Sequence, residues 1–108
     1  MLRITILSFD GCPHRELALE RTRAAIAAED AIATVAEEFV EDAAAAYVSR
    51  FLGSPSVRVE GIDVERSART SDRFGFMCRT YRTEHDTEGA PSIDMIRAAL
   101  RESSATRG

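Results

Sequence analysis

The stretch Phe9-Asp10-Gly11-Cys12-Pro13-His14-Arg15 decides how the chain is read. Before it, Leu2-Arg3-Ile4-Thr5-Ile6-Leu7-Ser8 alternates in part, so 2–9 reads as a strand that Asp10-Gly11 ends. After it, a run of Glu, Arg, Leu and Ala, all good helix formers, extends to Ala28. Ala18, Leu19, Thr22, Ala25 and Ile26 recur at helical spacing, which predicts a helix over 14–28 with Pro13 at its first turn. Cys12 therefore falls at the step from strand to helix, at the N-cap or first turn. Backbone N–H groups without an intrahelical acceptor, and the positive end of the helix, favour a thiolate there. Gly11 permits the sharp turn, and Arg15 adds positive charge. Such a thiolate is both a nucleophile and a soft-metal ligand. Its neighbour His14 is a candidate proton donor or modulator; the plainer alternative is an exposed first-turn histidine.

Working outward, Ile32, Val35, Phe39 and Val40 suggest a second strand within 31–40. Glu41-Asp42 then open a helix predicted over 42–52, its stripe Ala44, Tyr47, Val48, Phe51 and Leu52, with Gly53 as the residue that ends it. Ser54-Pro55 is a break. Val57 and Val59, then Ile62 and Val64, alternate about Gly61 and predict a β-hairpin over 56–65. Residues 66–89 are polar and arginine-rich around an apolar island, Phe74, Phe76, Met77 and Cys78. Ala90-Pro91 opens a last helix, predicted over 91–101, that carries Ile93, Ile96, Ala99 and Leu100; the polar residues 102–108 read as a disordered tail. Alternating βα units followed by a hairpin predict an α/β fold: a mixed four-stranded sheet with helices on both faces, one domain over 1–101, and an insert (66–89) before the last helix.

Composition narrows the function classes. The chain has 108 residues, net charge −4, 44% hydrophobic and 30% charged residues, as expected of one globular domain. No apolar run approaches the roughly 20 residues that cross a bilayer. The acidic balance argues against nucleic acid as a partner. All 14 basic residues are arginine, which we read as a compositional bias without functional content. The first residues lack the pattern of an export signal, so a cytoplasmic location is expected, where a rare cysteine is more often catalytic or metal-binding than structural. Two cysteines and two histidines, His14 and His85, make neither a four-thiolate zinc site nor finger spacing. No cofactor is expected. Tyr47 and Tyr81 read as packing residues, and His85 as a loop residue without a partner pattern.

The β-α-β-α-(Pro)-β-β-α order, with a cysteine opening the first helix and a proline before the third strand, resembles the thioredoxin fold over about residues 2–65 and 90–101. More narrowly, Phe9-Asp10-Gly11-Cys12-Pro13, the stretch from Phe51 to Val59 and that from Phe74 to Arg82 resemble a small group of bacterial thioredoxin-like proteins. Some members of that group are labelled as related to alkylmercury lyase or occur with mercury-resistance proteins. The resemblance implies that Cys12 is the nucleophile and that Ser54-Pro55 is a cis bond. It further implies that the Ser54-Pro55 loop lies against Cys12 and offers its backbone to an extended thiol substrate, with Pro13 and Arg15 completing the substrate-binding set.

One departure from the family pattern matters. Where Cys-x-x-Cys would place a second thiol, this chain has Arg15. Either a small thiol such as glutathione resolves a mixed disulfide on Cys12, or the remaining thiol, Cys78, does so. Five arginines (Arg66, Arg69, Arg73, Arg79 and Arg82) against Asp72 give residues 66–82 a charge of +4. These could activate Cys78 or hold a carboxylate or phosphate; equally they could pair with acids of the first two helices while Cys78 fills the core. Three functions follow: a thiol-redox protein acting on a thiol or disulfide substrate, a protein that holds a thiophilic metal ion such as Hg(II) between Cys12 and Cys78, and an interaction module that docks through the insert. The second, and the first where Cys78 is the resolving thiol, require the insert to cap the Cys12 end of the sheet; with the insert elsewhere Cys12 works alone as a monothiol, or the chain is a non-redox module.

Overall fold

The computed structural model describes residues 1–84 and 86–107, with the side chains of 106 and 107 left aside. The elements in chain order are β1 (Leu2–Ser8), α1 (Arg15–Ala28), β2 (Ala33–Phe39), α2 (Ala43–Val48), β3 (Ser56–Val59), β4 (Ile62–Asp63), β5 (Tyr81–Arg82), β6 (Thr87–Glu88) and α3 (Ile93–Arg107), with a 3-10 turn at Arg66–Ala68. The sheet order is β2-β1-β3-β4. β2 runs parallel to β1, from Leu2 opposite Ala33 to Ser8 opposite Phe39. β3 runs antiparallel to β1, and β4 antiparallel to β3. The predicted mixed four-stranded sheet is therefore present.

Alternation along β1 divides the core. Leu2, Ile4 and Ile6 face a cluster built with Ala18 and Ala25 of α1, Val57 and Val59 of β3, and Ile96, Ala99 and Leu100 of α3. Leu7 points the other way, into a smaller cluster with Val40, Ala46 of α2, and Phe51. Burying each of these large apolar side chains contributes about 1.5–3 kcal/mol. α1 and α3 are also tied by charge: Glu29, at the end of α1, accepts from Arg97 (2.7 Å) and Arg101 (3.0 Å).

The β3–β4 hairpin turns on Glu60 (φ 52°) and Gly61 (φ 79°), the two positive φ angles that match strand twist in a two-residue loop. Ser92 caps α3 by accepting from the Met95 N–H (3.1 Å).

Three boundaries differ from expectation. α2 stops at Val48, not at 52. Arg50 takes φ 57°, its N–H reaches Tyr47 O, and the Phe51 N–H reaches Ala46 O at 2.8 Å, a left-handed stop one turn before Gly53. Phe51 is thereby swung into the core, while Tyr47 and Val48, expected in the buried stripe, stay exposed. The residues read as a disordered tail instead continue α3 to Arg107, and Glu102 is held there by Arg66 and Arg69 at 2.8 and 2.7 Å. α1 begins at Arg15 with His14 as its cap residue, so Cys12 and Pro13 precede the helix rather than opening it. No helix among the described residues is long and apolar enough to cross a membrane.

Candidate functional site

Cys12 lies in the turn between β1 and α1. Its N–H donates to Phe9 O (3.2 Å), and its carbonyl accepts from the Arg15 N–H (3.4 Å). Gly11 makes this turn with φ 82°. No side chain caps α1, and Cys12 stays partly exposed just before that uncapped end. Four residues earlier the Ser8 hydroxyl is fully buried with no hydrogen-bond partner among the described residues, a feature without any sequence signature.

The neighbours of Cys12 are less simply arranged than their spacing suggests. Arg15 donates to Glu37 of β2 at 2.6 Å and lies 5.8 Å from the Phe39 ring centroid. The Glu37 carboxylate raises its pKa, with a smaller contribution from Cys12, so its charge is directed chiefly at β2 and not at a substrate. Pro13 and His14 are exposed. The His14 ring lies against Gly89, where a Cβ would meet the imidazole and make that exposed side chain turn aside. His85 lies outside the described residues.

Ser54 is the joint of the site. The Ser54-Pro55 bond is cis, as expected, and both residues are buried. The Ser54 hydroxyl accepts from the Phe9 N–H (3.3 Å), which ties it to the segment that carries Cys12. Its backbone faces the insert: the Ser54 N–H donates to Met77 O (2.8 Å), and its carbonyl accepts from the Arg79 N–H (3.0 Å). The residue bracketed by these two bonds is Cys78, paired with Ser54 as a parallel bridge. A third bond, Gly75 N–H to Phe51 O (3.0 Å), keeps 75–79 alongside 51–54. Gly53 has φ 117°, and a Cβ on it would lie 2.8 Å from Arg79 Cβ, so the close approach depends on glycine.

Arg79 and Tyr81 lock this segment, and sequence reading did not assign them these roles. The Arg79 guanidinium is buried and forked on Asp63, Nη1 to Oδ2 at 2.7 Å and Nη2 to Oδ1 at 2.9 Å, with further bonds to Ser56 Oγ and Glu65. It stacks on the Tyr81 ring at 4.4 Å. Burial is the largest single influence and opposes its charge, but Asp63, Tyr81 and Glu65 together outweigh it and raise the pKa. Tyr81 is fully buried and donates its hydroxyl to the Pro55 carbonyl; burial raises its pKa as well. It is a hydrogen-bonded support, not packing alone, and Tyr47 is an exposed residue edge-on to Phe74 (5.8 Å).

The insert therefore lies against the Ser54-Pro55 loop, and its Phe76 ring rests 5.0 Å from that of Phe9. Its apolar residues are only partly covered: Phe76 and Met77 remain 45% and 41% exposed. Cys78 is exposed, which removes the core-filling alternative. Of the insert's arginines, Arg79 pairs with Asp63 of β4 and with Glu65, and Arg66 and Arg69 pair with Glu102 of α3; among the described residues none pairs with an acid of the first two helices. Both cysteines are free thiols. A groove of about 370 Å³ is lined by Asp10, Phe39, Val40, Glu41 and Phe76. No group of three or more His, Cys, Asp or Glu among the described residues is placed to hold a metal ion. No protein-family model, curated protein or solved structure matches the chain.

Proposed function

We propose that the chain is a thioredoxin-like thiol–disulfide oxidoreductase in which Cys12 is the nucleophile and Cys78 the resolving thiol. The observation that carries this reading is the double attachment of Ser54, by its hydroxyl to the segment leading into Cys12 and by its backbone to the residues on either side of Cys78. The backbone that a substrate would engage in this fold is engaged by the chain's own Cys78 segment. That segment supplies the thiol missing from position 15.

The chemistry balances with two thiols. The Cys12 thiolate attacks one sulfur of a substrate disulfide, forming a mixed disulfide and releasing the other sulfur as a thiolate, which takes up a proton. Cys78, deprotonated in turn, attacks Cys12 Sγ, forming the Cys12–Cys78 disulfide and releasing the second substrate thiol. Two electrons pass from the protein to the substrate, and two thiol equivalents return the protein to its reduced form.

Single-turnover reaction with hydroxyethyl disulfide, read by mass spectrometry, tests the assignment. The parent protein releases both substrate thiols, Cys78→Ser stops at a mixed disulfide on Cys12, and Cys12→Ser does not react. A mixed disulfide that persists on Cys12 in the parent protein contradicts the role of Cys78.

A further inference from the structure

The two edges of the four-stranded sheet are built differently. β4 is two residues long, and its Asp63 carbonyl accepts from Arg69 Nε at 2.7 Å. β2 is seven residues long, pairs with β1 in unbroken register, and contains neither proline nor glycine. It therefore lacks the usual guards of an open edge, which are shortness, a bulge or a proline. We infer that this edge is the interface of a homodimer, in which β2 pairs antiparallel with β2 of a second copy about a two-fold axis at Ala36. The inference is independent of the redox reading.

The hydrogen-bonding phase of β2 limits the registers open to it. Ile32 O accepts from the Leu2 N–H, and the Val40 N–H donates to Ser8 O, both at 2.9 Å. The N–H and C=O of one strand residue point to the same side, so the even-numbered residues face β1. Ala33, Val35, Glu37 and Phe39 turn theirs outward, and among the described residues no main-chain hydrogen bond is made from that side. In an antiparallel ladder, residues that face each other exchange both bonds. With Ala36 on the axis, Ala33 faces Phe39 and Val35 faces Glu37 of the other copy, so all four outward residues are paired. An axis at Val35 drops Phe39 from the ladder. An axis at Glu37 drops Ala33 and sets two carboxylates opposite each other, which is destabilising.

The side chains are self-complementary about the Ala36 axis, which selects a second copy as the occupant. Ala36 is exposed and small, and it occupies the non-hydrogen-bonded pair, where Cα atoms approach to about 4.5 Å. The exposed Phe39 ring gains the small Ala33 as its neighbour. Glu37, an acid that would guard the edge, is already paired with Arg15 at 2.6 Å. That contact sets the Arg15 side of α1 along β2, and Leu19, Arg23 and Glu16 share a hollow with Arg15 there. Antiparallel pairing of the strands lays the two α1 helices antiparallel. Leu19 is then brought toward its own copy, and Arg23 toward Glu16 of the other chain. Neither Arg23 nor Glu16 is in an ion pair among the described residues.

Sedimentation equilibrium over a concentration series tests the inference. The parent is expected to dimerise. Ala36→Lys and Ala36→Glu, each altered at an exposed side chain, place like charges across the axis and should dimerise at least tenfold more weakly. An equimolar mixture of these two variants should restore the dimer, because opposite charges then meet. Ala44→Lys, at an exposed site on α2, should dimerise as the parent does. A monomeric parent, which would leave the edge to a strand of some other protein, overturns the inference. So does a dimer that Ala36→Lys leaves intact, or a mixture that stays monomeric.

Discussion

Arg79 grips Asp63 with both arms of its guanidinium, at 2.7 and 2.9 Å, in a place where each side chain is less than a tenth exposed. The pair joins the insert to β4, one residue beyond Cys78. Removing Arg79 strands Asp63 as a buried charge without its partner, which costs about 3–5 kcal/mol, whereas removing the Asp63 charge leaves Arg79 with Glu65 at 3.2 Å. Arg79→Met should lose that much in urea unfolding, and Asp63→Asn less, because Glu65 still pairs with Arg79. Exchange of the Arg79 amide, now bonded to Ser54 O, should accelerate with it. A loss below about 1 kcal/mol would mean that the pair does not hold the insert.

Gly53 bears on the same contact from the other side. With φ 117° and Arg79 Cβ in the space its own Cβ would need, Gly53→Ala is strained twice. A loss of more than about 1 kcal/mol is expected. Gly11→Ala, strained by φ but facing open space, should lose less. Equal losses would show that backbone conformation alone, and not the approach of the insert, sets the requirement at position 53.

Acid should weaken the α1–α3 and insert–α3 ties in a defined direction. Hydrogen bonds from Arg101 and Arg97 hold the Glu29 carboxyl below its ordinary pKa, and those from Arg66 and Arg69 do the same for Glu102. The unfolded chain, whose carboxyls titrate near about 4.3, takes up these protons first as pH falls. The stability they contribute is therefore complete above that value and is lost as pH drops through the depressed native values. Melting temperature from pH 7 to pH 3 should fall more steeply for the parent than for Glu29→Gln/Glu102→Gln. Parallel curves would contradict the assignment.

The Ser8 hydroxyl is the one buried side-chain polar atom without a partner among the described residues. A buried, unbonded hydroxyl is destabilising, so Ser8→Ala should raise stability by about 1 kcal/mol. Destabilisation of that size would instead show that the hydroxyl is hydrogen-bonded in solution.

Much of this was legible in the chain because it rests on local pattern. Alternation marked β1 and the β3–β4 hairpin, a stripe of small and apolar residues marked α1, and Gly11-Cys12 and Ser54-Pro55 stood out as breaks at element ends. The end of α2 was not legible, because Arg50 has no preference for the left-handed conformation it adopts; packing of Phe51 imposes it. Nor were the supports of the site. Arg79 chooses Asp63 at a separation of 16 residues, and Tyr81 chooses Pro55 at 26. Such partners are set by the path of the insert, which carries no periodic signal.

Disulfide mapping after mild oxidation tests the central claim most directly. The reduced protein, oxidised with a small excess of diamide at low protein concentration and digested without reduction, should yield one cross-linked peptide pair joining Cys12 to Cys78 within a monomer. Free or separately modified Cys12 and Cys78, or a link found only between two chains, would contradict the account.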